Sequence, residues 1–269
     1  MRKWNASLTV GCAMVSIIIF MALFPSLFTP HNPIAQDSQA MLLPPSTTHW
    51  FGTDSLGRDI FTRVVYGARI NLAIGVAATI VPFAVGTVLG LFAGYYGGKL
   101  DSILMRLVDI TMAFPFMVLA VLLAAIIGSG IQVLLIASWL VAWKEYARLV
   151  RSEVMVAKTS EYVEAAISMG YRDTRIMFRH ILPNVISSAI VFCASDIVLA
   201  MISVAALSFL GIGVQPPTPE WGAIISGGRA FLSSAPWIAI LPGIVLAFTG
   251  WGFSLIGDGL SDLLRTRGR

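Results

Sequence analysis

The sequence predicts an all-α membrane protein with six transmembrane helices. Composition comes first: 57% of the 269 residues are hydrophobic and only 12% are charged, where soluble domains carry roughly a quarter. Mean hydropathy is +0.83. Second, uncharged runs near the length of about 20 residues that a bilayer core requires recur along the chain. Third, the basic residues are sorted. With the N-terminus inside and six crossings, all but four of the 18 Lys and Arg fall on inner segments, as the positive-inside rule requires. The four outer ones are Arg58, Arg63, Arg69 and Arg229. Because position rather than sum matters for such a chain, the net charge of +4 is no sign of a nucleic-acid partner. Cys12 and Cys193 both fall in predicted spans and supply neither a disulfide framework nor metal-ligand spacing.

Arg2 and Lys3 precede an uncharged run that reads as a retained first span over residues 8–28. Its apolar core is longer than the 7–15 residues or so of a signal peptide, and no small-residue cleavage site follows. Residues 1–30 thus form an N-terminal region with the first helix, and residues 31–67 an extracytoplasmic segment. Pro30, Pro33, Pro44 and Pro45 keep the first part of that segment irregular. Asp54 or Ser55 is placed to cap a short interfacial helix whose apolar face is Ile60, Phe61, Val64 and Val65, with Asp59 and Arg63 paired four apart. Residues 71–95 form the second span. Gly86 and Gly90 lie four apart in it, a spacing that either lets another helix approach closely or belongs to a bent, lipid-facing helix. Gly97 and Gly98 turn the chain; the Gly and Ser/Thr positions of a phosphate-binding loop are missing around Lys99. Arg106 and Asp109 are spaced to pair. Residues 113–127 are the third span and 131–143 most of the fourth, which extends past Lys144. The fifth span is 185–207, with Asp196 near its middle. At that depth a carboxyl costs about 2.5–3.5 kcal/mol on insertion scales, so it faces the bundle or a wet cavity, either bracing helices or lining a pathway. The sixth is 238–256. Residues 68–258 make up the membrane domain, and 259–269 a cytoplasmic tail with Arg265, Arg267 and Arg269.

Between the fourth and fifth spans lies a polar, mostly basic stretch, residues 148–183. Its centre, 161–169, reads as one short helix. Ser160 is placed to cap it, Glu161 sits in the first turn where the helix dipole favours a carboxylate, and Gly170 can end it in a left-handed conformation. Tyr162, Ala166 and Met169 fall on one face, with Ala165 beside them.

Several ordered motifs carry a resemblance. Glu164-Ala165-Ala166, Gly170 and Leu182-Pro183 resemble the EAA loop of type I ABC importer permeases. FGTDSLGRD at 51–59, GYYGGKLD at 94–101, HILPN at 180–184 and SFLGIGVQPPTPEWG at 208–222 resemble the peptide and nickel branch of that family, including dipeptide and oligopeptide permease C subunits. The family commonly has Ile where His180 stands, Asn where Ser254 stands and a longer ending, so nothing is carried over to the tail. The resemblance implies a type I ABC importer permease fold in the bacterial or archaeal inner membrane, both termini cytoplasmic. Its coupling loop, 160–183, grips an ATPase subunit through Tyr162, Glu164, Ala165, Ala166, Met169, Gly170, Leu182 and Pro183. It also implies a second, different permease subunit, two ATPase subunits that bind ATP and Mg, and an extracytoplasmic substrate-binding protein. No cofactor is expected in this chain, and no catalytic residue. The implied cargo is di- or oligopeptide, with nickel, a metal chelate or another small solute as the alternative.

Two other classes fit less well. An ion-coupled carrier wants several intramembrane carboxylates or interrupted helices in matching halves, and Asp196 is the one clear mid-span acid. A membrane-embedded enzyme needs a nucleophile–base pair or metal cluster, and His31, His49 and His180 are far apart in the chain, so no metal site is expected.

Overall fold

The computed structural model describes residues 6–265. Arg2 and Lys3, counted above as inner charges, and Arg267 and Arg269 of the basic tail lie outside the described residues. The helices are α1 (Ala6–Leu23), α2 (Ile60–Tyr96), α3 (Gly98–Ala113), α4 (Phe116–Ile127), α5 (Ile131–Ala157), α6 (Glu161–Ser168), α7 (Asp173–Arg175), α8 (Leu182–Phe209), α9 (Trp221–Gly228) and α10 (Trp237–Arg265). A π-helical turn, Ile176–Ile181, joins α7 to α8. Among the described residues the β-structure is one isolated bridge, Thr53 to Asp59. Four stretches are long and apolar enough to cross a membrane: Ala6–Leu23, Ile60–Tyr96, Asp173–Phe209 and Trp237–Leu264. Helices α3 and α4 qualify together but are bent by 80°. Helix α5 has the length, 27 residues, but its second half carries Lys144, Glu145, Arg148, Arg151 and Glu153.

Prolines set most of the boundaries. The first helix stops at Leu23 rather than running to residue 28, because Pro25 excludes the helical conformation from Phe24 (φ −124°, ψ 55°) and starts a separate single turn, Pro25–Leu27. Pro115 likewise holds Phe114 extended, so the expected third span starts only at Phe116. Pro183 falls in the first turn of α8, where its missing N–H costs nothing.

The central packing is α2 against α5. Gly86, Gly90 and Gly94 present a bare backbone strip to the carbonyls of Trp143, Ala147 and Arg151, so the small-residue spacing marks a helix interface and not a lipid face. A Cβ on Gly90 would sit 2.5 Å from the Ala147 carbonyl oxygen and 3.0 Å from the Arg151 nitrogen. With α5 drawn this close, Tyr146, Ala147, Val150 and Val154 are fully buried. Two ion pairs then tie α3 to α5. Arg151 clamps Asp101 with two hydrogen bonds of 2.5 and 2.6 Å, and Arg148 reaches Asp109 at 3.3 Å. Asp109 therefore goes to Arg148 and not to Arg106, as its spacing in α3 suggests.

The expected interfacial helix does not exist as a separate element. Residues 60–68 are the first turns of α2. Ile60, Val64 and Ala68 are buried in a cluster with Trp221, Ala235 and Ile238, and Val65 is buried as well. At 1.5 Å per residue the 37 residues of α2 span about 55 Å, well beyond the roughly 30 Å hydrocarbon layer. Its cap is Asp59, whose Oδ1 accepts from the Thr62 nitrogen at 2.6 Å, not Asp54 or Ser55. Asp54 instead organises the preceding turn. Its Oδ1 accepts from the Leu56 and Arg58 nitrogens and its Oδ2 from Arg58 Nε at 2.7 Å. The Asp59–Arg63 pair is also replaced. Arg63 lies with Nε 3.9 Å from Asp54 and donates through a terminal nitrogen to the carbonyls of Pro33 and Pro217, stitching the loop before α9 to the 31–59 segment. Trp221 Nε1 donates to the Val64 carbonyl at 2.9 Å. Glu220 caps α9 by accepting from the Gly222 and Ala223 nitrogens, both at 2.8 Å. Burial pushes its carboxyl above the usual range, and those two N–H groups pull it partly back.

Replacing Gly90 by Leu inserts a branched side chain where two backbones touch. We expect a loss of about 1–3 kcal/mol, seen as a lower thermal midpoint in detergent, while the same substitution at exposed Ile103, which already carries a branched chain, leaves it unchanged.

Candidate functional site: a braced knuckle at one end of the bundle

Helix α6 is short, with Glu161 and Glu164 in its first turn. Ser160 has the extended backbone of a capping residue (φ −88°, ψ 148°) but no capping side-chain bond. Its hydroxyl donates back to the Ala157 carbonyl, and its own carbonyl accepts from the Val163 and Glu164 nitrogens. The end of the helix follows expectation. Gly170 takes φ +74°, with Gly170 N on the Ile167 carbonyl (2.9 Å) and Tyr171 N on the Ala166 carbonyl (3.2 Å). That is the paired 5→2 and 6→1 pattern of a glycine-terminated helix.

The two faces divide differently from the sequence reading. Val163 (0% exposed) and Ala166 (1%) point inward, into a core with Val154, Ile176, Met177 and Ile181. Tyr162 (41%), Ile167 and Met169 (62%) point out, with Ala165 and Glu164 also exposed. Ala166, expected on the coupling face, is therefore withdrawn from the surface. The β-branched Val163 takes the buried stripe, and the residue three positions on must go with it. The outward stripe is Tyr162, Ala165 and Met169. Gly170 and Pro183 are exposed as well, and Leu182 is half-buried at the start of α8. Seven of the eight sequence-derived coupling residues thus share this end of the molecule at or near its surface.

What fixes α6 was not visible in the sequence. Lys158, just past α5, donates to the Tyr95 carbonyl at 2.6 Å and lies 5.4 Å from the centre of the Tyr95 ring. The Tyr95 hydroxyl donates to Asp173 Oδ1 at 2.8 Å. Arg175 sits over the Tyr171 ring at 4.1 Å, and Tyr171 stacks on His180 at 5.6 Å. The C-terminal turn of α2 is thereby cross-linked to both ends of the α6 segment. Such side chains, 63 to 78 positions apart, leave no periodic signal. An exposed apolar strip on a helix held this firmly, edged by Glu161 and Glu164, is suited to docking a second protein.

Inside the bundle, Asp196 faces the protein as expected. Tyr146 donates to its Oδ2 at 2.7 Å, and it borders a cavity of about 160 Å³ with Ser138, Lys144, Glu145 and Ser203. Tyr146 was not singled out by sequence. A further departure concerns the histidines. His31 and His49 come together, ring centres 5.5 Å apart, beside Asp59 at the start of α2, whereas His180 stays with Tyr171 near α6.

A bundle of membrane-length helices with a braced, partly apolar knuckle at one end is the architecture of a membrane-embedded subunit that offers a surface to other proteins. Residues 86–269 match the family described as binding-protein-dependent transport system inner membrane component, and this chain belongs to it. It is 43% identical over 97% of its length to the dipeptide transport system permease protein DppC of Alkalihalophilus pseudofirmus, covering 86% of that protein. It is 47% identical over 82% of its length to the glutathione transport system permease protein GsiD of Pectobacterium atrosepticum, covering 73% of it. In fold it resembles a chain of the inward-facing MetNI methionine ABC transporter, with a TM-score of 0.63 at 20% identity over 78% of this chain and 98% of that one.

The mount yields a direct expectation. Tyr95→Phe removes one hydrogen bond, a net contribution of about 1 kcal/mol. Amide hydrogen exchange across residues 161–175 should quicken about fivefold, while exchange in the α2–α5 seam stays as it is.

Proposed function

We propose that this chain is the membrane-spanning subunit of an ATP-driven importer of short peptides. A second, different permease completes the pathway, two ATPase subunits power it, and a binding protein delivers the cargo from outside. The outward stripe of α6 carries this reading: Tyr162, Ala165 and Met169 form an apolar strip on a helix braced to α2, α5 and α8, at the end of the bundle to which the sequence assigns most positive charge. In this reading α6 lies on the cytoplasmic side and seats in an ATPase subunit. The two relatives named for substrates are named for a dipeptide and for glutathione, both short peptides with free charged groups, and this favours peptide over nickel as cargo. ATP drives the cycle only through its different affinities for the inward and outward states, so the knuckle has to move with the ATPases and carry the helices along.

Ala165→Arg should abolish co-purification of the ATPase subunits and peptide uptake while the protein inserts normally and keeps its thermal midpoint. Undiminished uptake would refute the docking role. Ala166→Arg should instead unfold the knuckle, because that side chain points into the core. Asp196→Asn, which keeps a partner for Tyr146, separates pathway from brace. Reduced uptake at unchanged stability assigns Asp196 to the pathway, and reduced stability assigns it to the brace.

A further inference from the structure

We infer that His31, His49 and Asp59 form a binding site for a divalent transition-metal ion at the N-terminal end of α2. One ring nitrogen from each histidine and a carboxylate oxygen of Asp59 lie within 4.8 Å of one another. The three residues come from different pieces of chain: the loop after α1, the turn at 46–52, and the cap of α2. An ion held by them therefore ties three segments together.

The backbones are already in place. The His31 nitrogen donates to Thr29 Oγ1 at 3.2 Å, and that buried hydroxyl shares a 2.6 Å hydrogen bond with Thr62 on the first turn of α2. The His49 carbonyl accepts from the Ser46 and Gly52 nitrogens, both at 2.8 Å. Asp59 spends Oδ1 on the helix cap, and its Oδ2 lies 2.9 Å from His49 Nδ1. Ligands bound at about 2.0–2.1 Å in tetrahedral array stand roughly 3.4 Å apart. Closing from 4.8 Å takes only side-chain torsion, which exposed His31 is free to make.

The donor set selects the ion. Two imidazoles and one carboxylate suit zinc, nickel, cobalt or copper, whereas calcium and magnesium take oxygen ligands. Three protein ligands leave a fourth position open, and His31 and Asp59 edge an open cleft of about 240 Å³ with Trp50 and Phe61, ample for water. Arg58 and Arg63, the neighbouring cations in sequence, are turned toward Asp54, and the Asp59 carboxylate offsets the positive end of the α2 dipole. A hydrogen bond between His49 and Asp59 needs no His31. The position of His31 therefore separates a metal site from a simple loop brace.

The test uses tag-free, full-length protein in detergent, stripped with chelator and titrated with zinc and nickel by calorimetry and with cobalt by visible absorption. One equivalent should bind at micromolar or tighter affinity and raise the thermal midpoint. His31→Ala and His49→Gln should each weaken binding by at least about tenfold, and His180→Gln should leave it unchanged. His31→Ala removes an exposed side chain and should leave the metal-free midpoint as it was, so it stays informative even if His49→Gln is unstable. Absence of saturable binding, or binding that His31→Ala leaves intact, overturns the inference.

Discussion

The close approach of α2 and α5 is the constraint on which the rest of the molecule depends. Lipid offers no hydrophobic drive for apolar helices to associate, so contact has to come from packing, and packing this tight requires glycine. Gly86, Gly90 and Gly94 supply it along one stripe. The consequence reaches beyond those residues. The charged half of α5 keeps one apolar side, Tyr146, Val150 and Val154, which is fully buried where α2 packs against it. Once covered, Val150 and Val154 become the floor on which α6 and the π-helical turn rest. Arg151, whose backbone borders the seam, turns its side chain outward to clamp Asp101 of α3. The glycine stripe thus fixes the position of the knuckle, although no glycine of the stripe belongs to it.

The same rod organises the other end. Because α2 begins at Ile60 and not at the membrane, its first turns become the post around which the irregular 24–59 segment and α9 are folded. Trp221 bonds to its backbone, Arg63 gathers two distant carbonyls, and Asp59 faces His49. One helix therefore carries the braced knuckle at its C-terminus and the ordered 24–59 segment at its N-terminus. Pro82, which falls between them, removes one helical hydrogen bond without ending the helix.

The sequence is a good guide to what depends on local chemistry and a poor one to what depends on distant partners. Hydropathy located the long helices, Pro25 and Pro115 set their limits, Gly86 and Gly90 marked the seam, and Gly170 ended the knuckle. Asp54, Asp59 and Ser160 are all competent caps, and Arg63 and Asp109 each have a plausible partner within four residues. For Asp59, Arg63 and Asp109 a group from a distant segment takes part: His49 beside Asp59, Pro217 over Arg63, Arg148 reaching Asp109. Asp54 and Ser160 are instead drawn to partners two to four residues away, Leu56 and Arg58 for one and the Ala157 carbonyl for the other. Ala166 is the instructive exception, since its burial was decidable from Val163 three residues earlier. The Glu-Ala-Ala pattern drew attention to the alanines and away from the valine beside them.

The bracing also constrains how motion passes through the subunit. If the knuckle were loosely tethered, displacement by an ATPase would be absorbed in the tether. Here Lys158 and Asp173 hold both ends of the α6 segment to α2, and Tyr171 stacks on His180 of the π-helical turn that leads into α8, so the segment has little freedom to move alone. A displacement has to carry the C-terminal half of α5 and the start of α8 with it. Those two helices bring Lys144, Glu145 and Asp196 to one open cleft, and Tyr146 of α5 is bonded directly to Asp196 of α8. On the proposed reading, sliding of α5 against α8 would act directly on that hydrogen bond, because it joins the two helices beside the cleft.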